Sequence, residues 1–527
     1  MYSRERARRS FVDSAVLRVV SQVSTAVGYI ILVRAFPSEP FGVYSLFNTF
    51  IAVIGAVLSL GLEQVLLRYS PEYLRAGNEP AAARLVRVVA SGRFAVNVLL
   101  LAVMLLGWNY LAPFLNVGPY RAAFVIFSVL ILLHFQVRVL QLALASHMLH
   151  RYSVGAMIVL SLVKLVGYSF LAWSHRVTLE TAIYVDIAAY ACAYVGQRIV
   201  YHKKALTQKA RVPYQFAPAE RKRMVRYGLL NNFNDAGGLL LYSSLDNLVI
   251  AAFLGTISVG IYSFYSRLRF MVYSVLPMSL FQNVINPLFF SIPPANAPHS
   301  IPKYFSLLLN LNLLVQWPML AYATAYHREI VEVVLAGKFV EYSWLLPLFM
   351  AFSVLNGVSD PVALVAQYEE KAGTLLLSKS FAAYNVLAMV ALVPYLGVYG
   401  ATLASGTAQV FKNAFIWWKV RDRAKWLNAW ASVATSVGLW GVAIVLCYGL
   451  KALLPNVPDL AQLVLGGVVC VVIGFIYIRS PVLSVSDRSI MASILGEKAA
   501  GLLRRIGLLP APHAYSSGAP SQSAGSQ

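Results

Sequence analysis

From about residue 11 to residue 480 the chain is a succession of apolar runs. Each is close to the roughly 20 residues that a helix needs to cross a hydrocarbon core about 30 Å thick. No stretch of soluble-domain size is left between them. Charged residues make up only 12% of the sequence and hydrophobic ones 59%, against roughly 25% charged in a soluble domain. The sequence therefore reads as one all-α polytopic membrane domain with short loops and a short tail.

About fourteen transmembrane helices are expected, near 11–35, 41–67, 92–116, 121–146, 152–173, 179–201, 227–253, 257–290, 303–326, 342–366, 375–395, 398–418, 428–450 and 459–479. The basic start, Arg4 to Arg9, precedes an apolar run too long for a signal peptide, so that run reads as the first span. The segment 71–91 is weakly amphipathic and is expected on the cytoplasmic surface. Residues 510–527, rich in Ser, Gly, Ala and Pro, have too little apolar surface to fold.

The net charge of +22 would suggest nucleic acid in a soluble protein. Here its distribution excludes nucleic acid as partner. With both termini inside, about 31 of the 43 Lys and Arg fall in cytoplasmic segments, about 6 outside and about 6 in spans. This asymmetry is expected to place both termini in the cytoplasm, and the basic clusters attract membrane lipids.

A basic linker, 202–226, separates a six-helix bundle (1–201) from a second (227–419). Two extra spans (420–480) and a cytoplasmic tail (481–527) follow. Phe41-Gly42-Val43-Tyr44-Ser45-Leu46-Phe47 is echoed by Val259-Gly260-Ile261-Tyr262-Ser263-Phe264-Tyr265. Six spans separate the copies, so the halves enter the membrane in the same direction. Parallel repeats of this kind form transporters with a site between the halves.

No phosphate loop of the Walker type and no His-Glu-x-x-His occurs. His147 and His150 lack further metal ligands nearby, and Cys192, Cys447 and Cys470 lie inside spans as packing residues. No cofactor and no metal are expected. Charges within spans carry the chemistry, because each costs roughly 2.5–3.5 kcal/mol at mid-helix unless it faces a cavity or partner. The cations Arg267, Arg269, Arg18, Arg138, Lys164 and Lys412 suit a cavity for an anionic substrate. Asp246, Glu63, Asp235, Asp186 and Asp360 serve ion coupling or charge pairing. Asn231, Asn232, Asn234, Asn283, Asn286, Asn310, Asn312 and Gln316 add donors for sugar hydroxyls. Simpler readings exist for several of these. Arg18 and Lys164 are near enough to helix ends to reach headgroups, Glu63 is one turn from Arg68, and Asp246 can neutralise a neighbouring cation. Arg267 and Arg269 sit about 15 Å into their span at 1.5 Å per residue, too deep for such an escape.

Phe41-Gly42-x-Tyr44, Leu60-Gly61-Leu62-Glu63, Arg68-Tyr69-x-Pro71-Glu72-Tyr73, Asp246-Asn247-Leu248-Val249-Ile250, Phe253-Leu254-Gly255 and Leu396-Gly397-Val398-Tyr399-Gly400-Ala401 follow one another in a familiar order. In these the chain resembles the polysaccharide-transporter (Wzx-like) flippases of the multidrug/oligosaccharidyl-lipid/polysaccharide exporter superfamily. The resemblance implies a non-enzymatic flippase that moves an undecaprenyl-diphosphate-linked oligosaccharide by alternating access for surface polysaccharide synthesis. A polymerase and a chain-length regulator would be its partners. Arg267-Leu268 matches an arginine–leucine pair in span 8 of the related lipid II flippases. Those also carry an arginine in span 2, where this chain has Glu63, which argues for a polysaccharide repeat unit over lipid II. The competing readings are a cation-coupled multidrug exporter of the same fold and a membrane glycan ligase or polymerase. A ligase or polymerase is disfavoured by an external loop, near 327–341, of only about fifteen residues.

Overall fold

The computed structural model describes residues 4–208, 212–239, 243–274, 292–427 and 429–480, with isolated positions between 276 and 290 and beyond 481. Side chains are described from Val20 onward, except His150 and those of 233–243. The described residues are helical throughout, because only a backbone that bonds within its own segment survives in hydrocarbon without a barrel. The first half contains α1 (Arg4–Ala35), α2 (Ser38–Val57), α3 (Leu62–Arg75), α4 (Glu79–Leu106), α5 (Trp108–Phe114), α6 (Arg121–Ser146), α7 (His150–Trp173) and α8 (Leu179–Val200). Then come α9 (Pro218–Leu239), α10 (Ser243–Leu254), α11 (Thr256–Ser274), α12 (Ala297–Leu335), α13 (Leu345–Leu355), α14 (Ser359–Tyr368), α15 (Ala372–Leu377), α16 (Phe381–Val420), α17 (Ala429–Leu453) and α18 (Asp459–Arg479).

Nine helical segments among the described residues are long and apolar enough to cross a membrane, and Val20–Ala35 and Ser244–Leu254 are shorter apolar helices. Span 8 is described as α11 to Ser274 and most of its remainder lies outside the described residues; the other expected spans each correspond to one helix, two consecutive helices or one arm of α16. Two spans are broken. Span 2 stops at Val57 and resumes at Leu62, across Leu60 and Gly61, which both have positive φ. Span 7 is described as α9 and α10, and residues 240–242 between them lie outside the described residues. Span 10 is divided into α13 and α14 by a 3-10 turn, Asn356–Val358. Spans 11 and 12 are the arms of α16, which turns at Gly397 (φ 57°, ψ −138°), three residues after Pro394. The arms lie side by side, since Tyr384 bonds Thr407 and Ser405 bonds Asn385.

The expectation of a surface segment at 71–91 is not met. α4 begins at Glu79, capped by the Asn78 side chain, and runs on as the third span. Its first turns bury Ala81, Ala82, Ala83, Leu85, Val86 and Val89. Three consecutive alanines let the helix approach its neighbours, and the weak amphipathicity reflects a buried face rather than a membrane surface.

The chain forms two compact units. The first comprises Met1–Met271, Val334–Leu345 and Lys379–Phe411, and the second Val272–Val333, Leu346–Ser378 and Lys412–Gln527. In the first unit α1 packs along α7, α8 lies against α6 and α7, and α2 lies against α9 and α10. Phe47, Phe50, Trp108, Phe124 and Phe127 form an aromatic core with centroid separations of 5.0 to 6.3 Å. The excursion through Lys338 closes α1, with its ammonium donating to the Val33 carbonyl at 2.9 Å and to that of Phe36. Burial lowers the pKa of this loop lysine from its ordinary value. In the second unit Ile301, Phe305 and Leu309 of α12 pack with Val362 and Val365 of α14 and Ile416 of α16. Beside them α17 pairs with α18.

The two echoed motifs meet inside the first unit. A Cβ on Gly42 would lie 1.9 Å from the Thr256 carbonyl oxygen, and one on Gly260 3.2 Å from Gly42 Cα. Only hydrogen fits between α2 and α11 here. Sequence symmetry has become a helix crossing.

Candidate functional site

The first unit holds two buried carboxylates, each reached by the tyrosine of one motif copy. Asp186 on α8 is fully buried. It accepts from the Tyr44 hydroxyl of α2 at 2.6 Å and from Tyr168 of α7 at 2.5 Å, and pairs with Lys164 of α7 at 2.7 Å. Lys164 lies 5.0 Å over the Tyr190 ring, whose hydroxyl bonds His134 of α6 at 2.9 Å. Lys164 and Asp186 sit about four turns and two turns into their helices, where a buried charge persists only if paired. The lysine therefore does not extend to the headgroups; its charge is neutralised inside the bundle.

Asp246 on α10 is 1% exposed and accepts from the Tyr262 hydroxyl of α11. Its Oδ1 has no hydrogen-bond partner among the described residues. Ser405 and Asn385, on the two arms of α16, approach the carboxylate, and the charge of Arg269 acts on it. The adjacent Asn247 donates to Thr49 of α2 at 2.9 Å and accepts from Ser263 at 3.2 Å. Tyr262 and Ser263 of the motif thus bind consecutive residues of α10.

Arg267 is half-buried on α11, 5.8 Å over the Tyr29 ring of α1 and 5.6 Å from that of Phe270. It makes no ion pair among the described residues, and its Nε lacks a hydrogen-bond acceptor. A guanidinium flanked by rings keeps its donors available for an anion.

The remaining sequence candidates lie apart. Glu63 pairs with Arg138 of α6 at 3.3 Å, whereas Arg68 pairs with Glu72 at 3.9 Å. The expected local pair of Glu63 with Arg68 is thus replaced, because the break at Gly61 aims the first turn of α3 toward α6. In the second unit Asp360 accepts from Tyr273 at 2.5 Å, and Lys412 is half-buried on α16. The side chains of Arg18, Asp235 and Asn234 lie outside the described residues, as do Asn283 and Asn286. The other amides mostly hold backbone together. Asn232 caps α2 through the Val57 carbonyl, Asn310 bonds the Val482 carbonyl, and Asn312 contacts Gly357.

Sequence reasoning missed Arg93, which is fully buried on α4. It donates to the carbonyls of Leu58 at 2.9 Å and Ile54 at 3.3 Å, and lies 4.0 Å over Phe135. Both carbonyls lie at the broken end of α2, where that of Ile54 also accepts from the Leu58 N–H at 3.3 Å. Reading 71–91 as a surface segment hid it. It missed the tyrosines too, although the echo put Tyr44 and Tyr262 at one repeat position.

The profile of a family described as polysaccharide biosynthesis protein matches residues 31–344, well over half of the chain. The chain belongs to this family. The matched region contains both motif copies, both tyrosine–aspartate pairs and Arg267. No curated protein matches the sequence. Among solved structures, the lipid II flippase MurJ in an inward closed conformation is similar over 88% of this chain and 99% of its own, with 13% identity and a TM-score of 0.63. An inward-facing multidrug resistance MATE transporter of the MOP superfamily is similar over 78% and 98%, with 13% identity and a TM-score of 0.62. At that identity the likeness concerns the fold. This polysaccharide biosynthesis protein is a multi-pass membrane protein with the MOP-type helical architecture.

Proposed function

We propose that the protein is a flippase that moves an undecaprenyl-diphosphate-linked oligosaccharide repeat unit across the cytoplasmic membrane by alternating access, for surface polysaccharide synthesis. The observation that carries this reading is Arg267, a half-buried guanidinium deep in a span, without an ion pair among the described residues. A diphosphate sugar head cannot enter hydrocarbon unaided, since buried charge and unsatisfied hydroxyls are both costly. Arg267 attracts the diphosphate, and Arg269 adds positive charge two residues on. The polyprenyl tail stays in lipid. Both termini lie in the cytoplasm, and 1–201 and 227–419 act as repeats about the 202–226 linker.

Movement comes from conformational exchange, biased by a proton or cation at the open oxygen of Asp246. A static charge at Arg267 alone would hold the diphosphate equally in every state, so an ion that binds one state better supplies the bias.

Deleting the gene and extracting lipid-linked intermediates tests the proposal. Complete repeat units should accumulate on the cytoplasmic face while surface polymer is lost. Normal polymer with raised sensitivity to cationic drugs would identify a multidrug exporter and overturn the reading.

A further inference from the structure

A cavity of about 620 Å³ opens in the first unit between α4, α6 and α8. Arg84 and Arg87 come from the first three turns of α4 and Arg198 from the last turn of α8. All three line the cavity, and Tyr201 lies within reach of the charges of Arg87 and Arg198. Among the described residues no carboxylate lines it. Deeper along α4 and α6 the wall is apolar, with Val88 and Phe94, 39% and 48% exposed, facing Leu133.

What sets the three arginines apart is that they line one cavity without a counter-charge among the described residues. Arg68, Arg138, Arg223 and Arg423 each pair with a carboxylate. Arg84, Arg87 and Arg198 make no ion pair among the described residues, yet they surround one space. Like charges gathered without a counter-charge repel one another, and an anion held between them removes that cost. A guanidinium offers two parallel donors, which matches phosphate oxygens.

We propose that this cavity binds an acidic phospholipid of the membrane, independently of the transport reading. Arg84, Arg87 and Arg198 hold its phosphodiester, and an acyl chain lies against Val88, Phe94 and Leu133. The joined basic and apolar walls select this occupant. A free anion would leave the apolar wall wet, and a zwitterionic lipid would set its ammonium against three cations. Basic pockets between membrane helices take anionic headgroups for these reasons.

The test uses the full chain purified in detergent, with melting temperature and retained lipid measured by native mass spectrometry. Added phosphatidylglycerol should raise the melting temperature and leave one retained lipid. Phosphatidylcholine and inorganic phosphate at the same concentration should do neither. Replacing the three arginines together (Arg84→Gln, Arg87→Gln, Arg198→Gln) should weaken phosphatidylglycerol retention at least about tenfold, since each basic residue adds to the attraction. Leu133→Trp, which fills the apolar wall and keeps every charge, should weaken it as well. Equal protection by phosphatidylcholine or by phosphate alone overturns the proposal, as does unchanged retention in both variants. Preferential retention of a polyprenyl diphosphate over phosphatidylglycerol overturns the choice of occupant.

Discussion

Asp186 and Asp246 are both buried in the first unit, and each accepts a hydrogen bond from the tyrosine of one copy of a shared motif. Beyond that bond their surroundings part. Around Asp186 the protein supplies everything: a second tyrosine and the ammonium of Lys164 complete the carboxylate. Around Asp246 one oxygen is left without a hydrogen bond among the described residues, with Ser405, Asn385 and the charge of Arg269 nearby. Two carboxylates that meet the tyrosines of one motif thus differ in what completes them, and the proposed ion coupling falls to the second. The first fixes α2, α7 and α8 to each other. The second sits where α10, α11 and both arms of α16 meet.

The largest effect should come from removing the built-in cation. Lys164→Met leaves Asp186 as an uncompensated buried charge, at a cost of roughly 3–5 kcal/mol, read as lost membrane abundance and a lower melting temperature. Adding Asp186→Asn to the same chain should restore most of the stability. A single Lys164→Met variant as stable as the parent would break the comparison.

The glycines of the two motifs should differ in the same direction. Gly42→Ala forces a Cβ onto the Thr256 carbonyl, whereas Gly260→Ala meets Gly42 at 3.2 Å. Gly42→Ala should cost about 1–3 kcal/mol, as overpacking does, and Gly260→Ala less. Thermal unfolding of the two variants ranks them.

Asp246→Asn should keep the fold, because the asparagine oxygen still accepts from Tyr262, with stability within about 1 kcal/mol of the parent. Its transport should lose dependence on the proton or cation gradient. A variant that responds to the gradient as the parent does removes Asp246 from coupling. The tyrosines should act on stability alone. Tyr44→Phe leaves Asp186 with Tyr168 and Lys164 and should cost about 0.5 kcal/mol, while Tyr262→Phe should cost about 1–1.5 kcal/mol, the range of a single hydrogen bond. The order of the two is the point to measure.

Much of the fold was legible because the membrane leaves few options. Apolar runs of spanning length gave the helices, and two of them, α6 and α18, begin and end at the expected residues. The broken spans were not legible, since a break such as Leu58–Gly61 depends on Arg93 and Asn232 arriving from other helices to satisfy its carbonyls. Among the site residues, depth in a span singled out Arg267. Spacing could not tell which acid meets which base: Glu63 is four residues before Leu67 and five before Arg68, yet its partner is Arg138 on another helix. The echo Phe-Gly-Val-Tyr-Ser and Val-Gly-Ile-Tyr-Ser announced a repeat, but its consequences are tertiary. A sequence pattern does not say that two glycines will cross or that two tyrosines will find aspartates.

Arg267, without an ion pair among the described residues, is proposed to hold a diphosphate-linked glycan as it crosses the membrane. The most direct measurement follows a short-chain polyprenyl-diphosphate oligosaccharide in proteoliposomes, scored by protection from a membrane-impermeant reagent that modifies the glycan. The parent chain should transfer the substrate between leaflets, Arg267→Lys should keep part of the rate, and Arg267→Ala should be slower by about a hundredfold or more, consistent with loss of a buried charge-assisted contact. Transfer by the Arg267→Ala protein at the parent rate would contradict the account.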